Sequence, residues 1–582
     1  MKMHSVVFEN EESFDSWLVG LEEDFGKAPT TLFHIFCDCR ADEEIPVIHG
    51  AIRKVFPHAH VVGSSSYGNV CEGHFQKENI VVAATAFELE SSKVEVLSYP
   101  LKSGEATAMG ESLVAEIAER PWVKGVEALI MNNSEPLEGF CHEVEKLPED
   151  IAVFGGESHF AHAPDAPRYV IDNEGKVLRW GAVFVLYSGE DLHFTADYVQ
   201  GWRPLGNEME VTSHDGNVLY EIENGPAYDP YHRYLNIEKD EEFFFNALEF
   251  PFLFTLPDGI EVMRTPVAYT DEGALVLAAA VPHDAKMRIA YGDPEEILHS
   301  VMFCGGEIAE FRPDAILLFT CGVRRTFWND EGTNRETAPF QDVAPTAGFY
   351  TAGELLRMDG RLLEHNSTMV IMAAREGDAS DKPKMKFTMP VERRRKSLVA
   401  RFANFVDAAM DELNAANRSL EIQSRTDGLT GLANRREIEA KIREACTSAT
   451  EGCPALIMCD LDNFKGINDR FGHREGDRVL QRFASLSRDI SESAGRGVRM
   501  GRWGGEEFII LVNNPECDAA QIAEQIRVMF EQYDGFDNDF VHTVSLGVTE
   551  WRPDDDADAF IIRSDEALYA AKAKGKNQIV IA

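Results

Sequence analysis

A multidomain α/β protein is the fold class this sequence predicts, and three observations carry that reading. The chain has 582 residues, enough for about three or four domains at roughly 100–200 residues each. Its first 380 residues alternate short apolar, β-rich runs with helical stretches, the pattern of layered α/β structure. Around residues 378–396 the charge changes sign and a long helical periodicity begins, which marks a boundary before a separate C-terminal region. A composition of 44% hydrophobic, 10% aromatic and 27% charged residues belongs to an ordinary folded protein, so most of the chain is expected to be ordered.

In chain order, buried strands are expected at Thr31–Cys37, Ile80–Ala86, Ala128–Met131, Ala182–Tyr187, Ala274–Val281, Ala315–Thr320 and Thr368–Ala373. Helical patterns fall between them at Pro46–Val55, Met109–Ala118 and Glu295–Ile308. The runs Lys382-Pro-Lys-Met-Lys386 and Arg393-Arg-Arg-Lys396, set among Asp378-Ala-Ser-Asp381 and Pro390, read as a solvated linker beside an acidic domain. Next, Val399, Phe402, Val406, Ala409, Leu413, Ala416, Leu420 and Gln423 recur at alternating spacings of three and four, and neither Gly nor Pro occurs from Lys396 to Asp427. One helix of about 30 residues, roughly 45 Å long at 1.5 Å per residue, follows. Its narrow apolar stripe favours a parallel dimeric coil over packing on its own domain. Beyond it, Asp427-Gly-Leu-Thr-Gly-Leu-Ala-Asn-Arg-Arg436 is a turn-rich entry to a helix, and the apolar strand Ala455–Cys459 ends on Asp460-Leu-Asp-Asn-Phe-Lys465. The segment Arg499–Val512 reads as strand, two-residue Gly504-Gly505 turn and strand, with Glu506 and Glu507 at the tip.

Charge narrows the function classes. With 56 basic and 99 acidic residues the net charge is −43, which repels polyphosphates and argues against duplex DNA as a partner. The acidic excess is uneven: residues 421–582 hold 20 basic and 29 acidic side chains, a net of −9, which leaves −34 for the first 420. No apolar run approaches the roughly 18–20 residues of a membrane span, and the first dozen residues lack an apolar leader, so the expected location is the cytoplasm. The 10 cysteines, without paired spacing, are expected to be reduced, with neither disulfides nor a zinc site.

The chemistry suggested by the C-terminal motifs is metal-assisted phosphate binding. A carboxylate at a strand end, here Asp460, opens onto a ligand crevice. Two glycines let the backbone approach a phosphate, and acids beside them suit Mg²⁺, which takes carboxylate and phosphate oxygens. Asp460 and the Glu506-Glu507 pair would come from adjacent strands, while Lys465, Lys572 and Lys576 bring positive charge near the same crevice.

On these motifs, residues 421–582 resemble the GGDEF domain of diguanylate cyclases over their whole length. The resemblance implies a central, mostly antiparallel sheet flanked by helices, like that of nucleotide cyclases, across 425–582, with a coiled-coil signalling linker at 390–424. It implies that Asp460, the carbonyl of Leu461, Glu506 and Glu507 bind Mg²⁺ or Mn²⁺, that Glu506 and Glu507 are catalytic, and that Glu507 serves in metal binding or in activating the attacking hydroxyl. Asn468 and Asp477 match the guanine-reading pair, an amide and a carboxylate able to bond a guanine edge. Phe464, Lys465, Lys572 and Lys576 match contacts to the substrate, and Lys465 carries over as a catalytic residue. The implied reaction joins two GTP molecules into cyclic di-GMP, one nucleotide per domain, so a homodimer is expected. Two departures stand out. The family's inhibitory Arg-x-x-Asp would fall at Gly495 and Val498, so that product site is absent, with only Arg496 and Arg499 nearby; and Lys576 replaces the usual arginine, keeping charge without bidentate geometry.

Upstream, Val61-Val-Gly63-Ser-Ser-Ser66-Tyr-Gly68, Val153-Phe-Gly155-Gly156-Glu-Ser158, Phe319-Thr-Cys321-Gly-Val-Arg324-Arg325 and Ala347-Gly348-Phe349-Tyr350-Thr-Ala-Gly353-Glu354 place small-residue loops after apolar strands. With Gly201-Trp-Arg203-Pro204, Leu219-Tyr220-Glu221 and Tyr228-Asp229-Pro230 they resemble a FIST sensory region, N-terminal part at 28–215 and C-terminal part at 216–375. The resemblance implies a small-ligand sensor, with amino acid-like ligands or haem and nitric oxide as expectations. Arg324, Arg325, Glu354 and Cys321 are the candidate ligand residues: guanidinium for carboxylate, carboxylate for ammonium. Arg325 pairing with Glu354 to join two strands stays equally open. Fifteen of 17 histidines precede residue 420, but His58-x-His60 and His159-x-x-His162 lack further ligands at useful spacing.

Overall fold

The computed structural model describes residues 1–37, 41–101, 105–131, 136–159, 168–283, 285–389, 398–447, 449, 454–493, 495, 497–536, 540–553 and 555–582. They divide into two compact units, Met1–Ala408 and Ala409–Ala582.

The N-terminal unit repeats one plan three times. In the first repeat the strands run Lys2–Phe8, Ile80–Phe87, Thr30–Cys37, His60–Ser65 across the sheet. In the second they run Lys93–Pro100, Gly181–Ser188, Val123–Met131, Ala152–Glu157, and in the third Leu192–Val199, Met369–Glu376, Ala315–Cys321, Thr346–Thr351. In every sheet successive neighbours are antiparallel, antiparallel and parallel. The parallel pair needs a crossover, and helices Ala41–Val55, Glu138–Val144 and the segment Gly322–Gln341 supply it. Each repeat also gives a hairpin to another repeat's sheet. Asn69–Cys71 with His74–Gln76 extends the third, Val170–Ile171 with Val177–Leu178 extends the first, and Glu354–Met358 with Arg361–His365 extends the second, which closes a cycle.

Burial explains why these strands read as continuous apolar runs. Along Gly181–Ser188, Val183, Val185 and Tyr187 face a core shared by all three sheets, with Leu32 and Phe36 from the first and Leu317 and Phe319 from the third. The alternate residues Ala182, Phe184 and Leu186 face the outer helices, beside Leu113 and Phe140. Both faces are dry, so both must be apolar.

The expected division at 215/216 falls in the turn of a hairpin, Trp202–Asp215 with Val218–Ile222. That hairpin belongs to an eight-stranded sheet inserted in the third repeat, with its own core of Leu219, Tyr231, Phe252, Phe254 and Leu275. Ahead of residue 28, Lys2–Phe8 pairs with Ile80–Phe87 along its length, and Phe14, Leu18, Leu21 and Phe25 of helix Glu11–Phe25 are core residues. Within the expected strand Ala274–Val281, only Leu275–Leu277 is a strand. The amides that follow go singly to different segments, Ala278 to Thr265 O and Val281 to Gly216 O, so no ladder forms.

The C-terminal unit has a five-stranded sheet ordered Val498–Gly504, Glu507–Val512, Ala455–Leu461, Val544–Glu550, Ile579–Ile581, antiparallel except for the last, parallel pair. Helices Arg435–Thr447, His473–Ser493, Ala519–Glu531 and Ala557–Ala573 cover it. The expected linker helix is there as Leu398–Arg425, 28 residues. Among the described residues no helix is long and apolar enough to cross a membrane.

Glu354 begins the hairpin given to the second sheet. It is fully buried and accepts hydrogen bonds from the Thr351 and Thr368 hydroxyls at 2.6 and 2.7 Å. Burial pushes its carboxyl up to about 8 despite those bonds. A folded-state pKa above the unfolded value means the folded protein binds the proton more tightly, so the stability Glu354 contributes is present at low pH and lost as pH rises toward 8. Thermal melts from pH 5 to 8 should show the N-terminal transition falling with pH, and Glu354→Gln should flatten that slope. Buried Glu157 and Glu364, also shifted up by burial, leave part of it in place.

Candidate functional site

The site forms where strand Ala455–Leu461 ends between two antiparallel neighbours. Asp460 lies opposite Glu507 on one side and Ser545 on the other. Directly opposed residues project to the same face, so the Asp460 and Glu507 carboxylates share one side of the sheet edge. Lys572, in the last turn of helix Ala557–Ala573, places Nζ 2.6 Å from Asp460 Oδ2. Burial is the largest influence on Asp460 and raises its pKa; Lys572 opposes this, Glu506 and Glu507 add to it, and the net direction is up. A cation brought to this edge therefore meets, in Asp460, a carboxylate that the fold holds at an electrostatic disadvantage.

The turn differs from the expected Gly504-Gly505. Strand Val498–Gly504 includes Gly504, and the two turn residues are Gly505 and Glu506, with an irregularity between Arg502 and Gly504 that swings the tip. The Leu461 amide donates to Glu506 O at 3.3 Å, tying tip to strand end.

Asn468 and Asp477 lie on successive helices, Phe464–Phe471 and His473–Ser493. Gly476 is what lets those helices meet there, since a Cβ on it would fall 2.0 Å from Asn468 Oδ1. Lys465 is exposed in the first turn, whereas the Phe464 side chain is buried in the core, which leaves its backbone to face a ligand. Lys576 is exposed and donates to Asn463 Oδ1 at 2.6 Å, so it too borders the loop after Asp460.

Sequence reasoning missed two supports. Asp462 is buried and accepts from Thr543 Oγ1 at 2.8 Å, Ser545 Oγ at 2.7 Å and the Asn577 amide at 3.0 Å, pinning the loop that carries Asp460. Its place directly after the strand end that carries Asp460 was the available signal. Asp427, just past the linker helix, accepts from Thr430 N and Oγ1 and from Arg502 Nη1, and Arg502 Nε and Nη2 donate to Gly505 O at 3.0 and 2.7 Å. Asn434 and Arg436 bind the Ser424 carbonyl at the helix end. A continuous bonded path therefore runs from the linker helix to the turn bearing Glu506.

The donors are hard oxygens, as Mg²⁺ requires, and the Lys572 ammonium against Asp460 shows that the edge accepts a cation. Among the described residues no three His, Cys, Asp or Glu side chains form a ready-made metal cage. Mg²⁺ usually keeps waters and substrate phosphates in its shell. At the expected inhibitory positions stand Gly495 and Val498, with Arg499 exposed; Arg496 is outside the described residues.

In the N-terminal unit the expected ligand residues are engaged by other protein groups. Arg324 is buried and ion-paired with Glu336 at 2.7 Å, Glu354 is held by two threonines, and Cys321 is buried with its thiol pushed well up by burial. Arg325 pairs with Asp330 at 2.9 Å and lines a cavity. His58 is exposed, His60 opens a strand, His159 stacks on Tyr67, and His162 is outside the described residues.

Comparison with known proteins agrees with this division. Residues 424–578 match the family described as diguanylate cyclase, GGDEF domain; 31–225 match the FIST N domain and 227–357 the FIST C domain. The chain thus carries a FIST region followed by a GGDEF domain. It is 33% identical over 168 residues to the diguanylate cyclase DgcS of Shewanella oneidensis and 41% identical over 160 residues to a diguanylate cyclase of Vibrio cholerae. These matches cover 28% and 27% of this chain and 55% and 49% of those proteins, so the chain spans about half the length of the relatives it matches. Among solved structures, the active GGEEF domain of a diguanylate cyclase from Vibrio cholerae is 39% identical, covering 26% of this chain and 97% of that one with a TM-score of 0.24.

The two neighbouring aspartates should behave oppositely. Asp462→Ala strips three donors of their acceptor and should lower the C-terminal unit's stability by about 2–4 kcal/mol. Asp460→Asn removes a charge the fold disfavours and should leave the melting temperature unchanged or raise it, as differential scanning calorimetry would show.

Proposed function

We propose that this chain is a diguanylate cyclase regulated by its N-terminal unit, making cyclic di-GMP and two pyrophosphates from two GTP. The observation that carries the reading is the pairing of Asp460 with Glu507 under Lys572, within a segment that matches the GGDEF family throughout. Asp460, Glu506, Glu507 and the Leu461 carbonyl are the groups that would hold Mg²⁺ or Mn²⁺, which when bound supplies charge neutralisation to the triphosphate. Asn468 and Asp477 hold the guanine edge. Lys465, Lys572, Lys576 and the Phe464 backbone meet the phosphates, with Lys572 exchanging Asp460 for phosphate oxygen. Glu507 takes the proton of the 3′-hydroxyl as it attacks the α-phosphorus of the second nucleotide. Positioning and charge stabilisation are the protein's share of the work. GTP as substrate places the activity in the cytoplasm.

Each domain presents one nucleotide, so two copies must face each other. The linker helix supports this, since Phe402, Leu413 and Leu420 of its apolar seam are 61%, 57% and 62% exposed in the single chain. A parallel pairing of two such helices would cover them. A change in how the helices pair would reach the catalytic tip through Asp427, Arg502 and Gly505, and a sensory ligand regulates only if it binds the two pairings with different affinity.

Glu507→Ala should lower cyclic di-GMP formation at least 10³-fold, about 4 kcal/mol of barrier, measured by chromatography of the product with GTP and Mg²⁺. Wild-type protein that binds GTP without releasing pyrophosphate would instead make it a nucleotide-binding adaptor. Leu413→Asp with Leu420→Asp should convert the dimer to monomer by light scattering and abolish turnover. Added cyclic di-GMP should inhibit weakly or not at all, since neither residue of the inhibitory motif is present.

A further inference from the structure

We propose that Asn577 is a positioning residue for the nucleotide: it clamps the turn that carries Lys576 onto helix Ala519–Glu531 and so holds the Lys576 ammonium at the catalytic edge. The inference rests on the reading above for the identity of the nucleotide, and extends it to residues outside the binding set.

The turn is strained. Three successive residues after helix Ala557–Ala573 and Lys574 have positive φ, Gly575 at 121°, Lys576 at 65° and Asn577 at 44°. Glycine takes such angles freely and asparagine at modest cost, whereas a lysine there is opposed by its own Cβ. A conformation of this kind persists only where the surroundings over-determine it. Two backbone bonds contribute, from Lys576 N to Ala571 O at 3.2 Å and from Asn577 N to Asp462 Oδ2 at 3.0 Å.

What the turn achieves is direction. It brings Lys576 Nζ to 2.6 Å from Asn463 Oδ1, and Asn463, itself at φ 58°, stands in the loop directly after the strand that bears Asp460. Lys572, four residues earlier, already lies on Asp460 at 2.6 Å. Two ammonium groups thus border one strand end, the second of them through a backbone that would otherwise relax.

The Asn577 side chain supplies the remaining restraint. Its Nδ2 donates to Glu531 Oε1 at 2.7 Å, and its Oδ1 accepts from Arg527 Nη1 at 3.0 Å. Arg527 and Glu531 are joined to each other at 2.8 Å, which closes a ring of three side chains with charge at every bond. Glu524 fixes the other side of the guanidinium, accepting from Nε at 2.9 Å and Nη2 at 2.7 Å. Asparagine combines tolerance of this φ with a rigid donor and acceptor. An aspartate would face Glu531 with like charge, and a glycine would keep the angle but lose both bonds.

The test is a double-mutant cycle on the full chain. Affinity is read by calorimetric titration with Mg²⁺ and α,β-methylene-GTP, in which the bond to the leaving pyrophosphate cannot break, and turnover is read by pyrophosphate release from GTP. Asn577→Gly should weaken analogue binding about 10-fold and raise KM for GTP by a similar factor, while kcat falls less than about 3-fold. Lys576→Gln should weaken binding to a similar extent, and the double variant should bind no worse than Lys576→Gln alone, since one residue acts through the other. A contact that merely stabilises the fold would lower the melting temperature and leave affinity where it was. Should Asn577→Gly fail to fold, Glu531→Ala, at a part-exposed side chain, takes its place in the cycle and must show the same loss. Unchanged affinity, or losses that add in the double variant, overturns the proposal. Wild-type protein that binds the analogue but releases no pyrophosphate from GTP defeats the cyclase reading and leaves the binding cycle to decide this one; wild-type protein that binds no analogue defeats both.

Discussion

The catalytic reading depends on one constraint, the register of three antiparallel strands. Because Asp460 is opposed by Glu507 and flanked by Ser545, the charges of two strands converge on one face of the sheet edge. A slip of one residue would turn Asp460 into the core and Leu461 outward. The register is fixed by what lies further along the same strands, where Ile457, Cys459, Phe508, Ile510, Leu546 and Val548 interlock in a single core. Like charges are crowded together at the edge of an apolar assembly that has no other way to pack. Asp462, two residues on, is the counterweight: three donors satisfy it, whereas burial disfavours the charge of Asp460.

Much of this was legible in the sequence, for physical reasons. The strand ending on Asp460, the long helix before Asp427 and the Gly-Gly-Glu-Glu tip each depend on residues close together in the chain, and local patterns report local structure. The turn itself was misplaced by one residue, because Arg502, which bonds the Gly505 carbonyl and so sets the tip, gives no pattern of its own. Arg502 is itself anchored by Asp427, 75 positions back, and Asp462 by Thr543, 81 positions on. Periodicity has no view of such distances.

The N-terminal unit was harder to read. Its strands were found because they are apolar on both faces, yet the threefold plan was hidden, since strand order and hairpin exchange are properties of pairing rather than of composition. The same distance effect decided the fate of the expected ligand residues. Arg324 and Glu354 are consumed in holding the core together, and of Cys321, Arg324, Arg325 and Glu354 it is Arg325 that lines the cavity.

The exchanged hairpins also set a timetable for biosynthesis. Asn69–Cys71 finds its neighbour only when Thr346–Thr351 has been made, about 280 residues later. At 5–20 residues per second that is a wait of roughly 15–55 s. Through that interval the nascent polypeptide displays an unfinished sheet margin on the ribosome, a substrate for chaperones and an opening for misassembly. Codon choice and growth temperature should therefore govern the yield of this protein more strongly than they would a chain whose strands pair as they emerge.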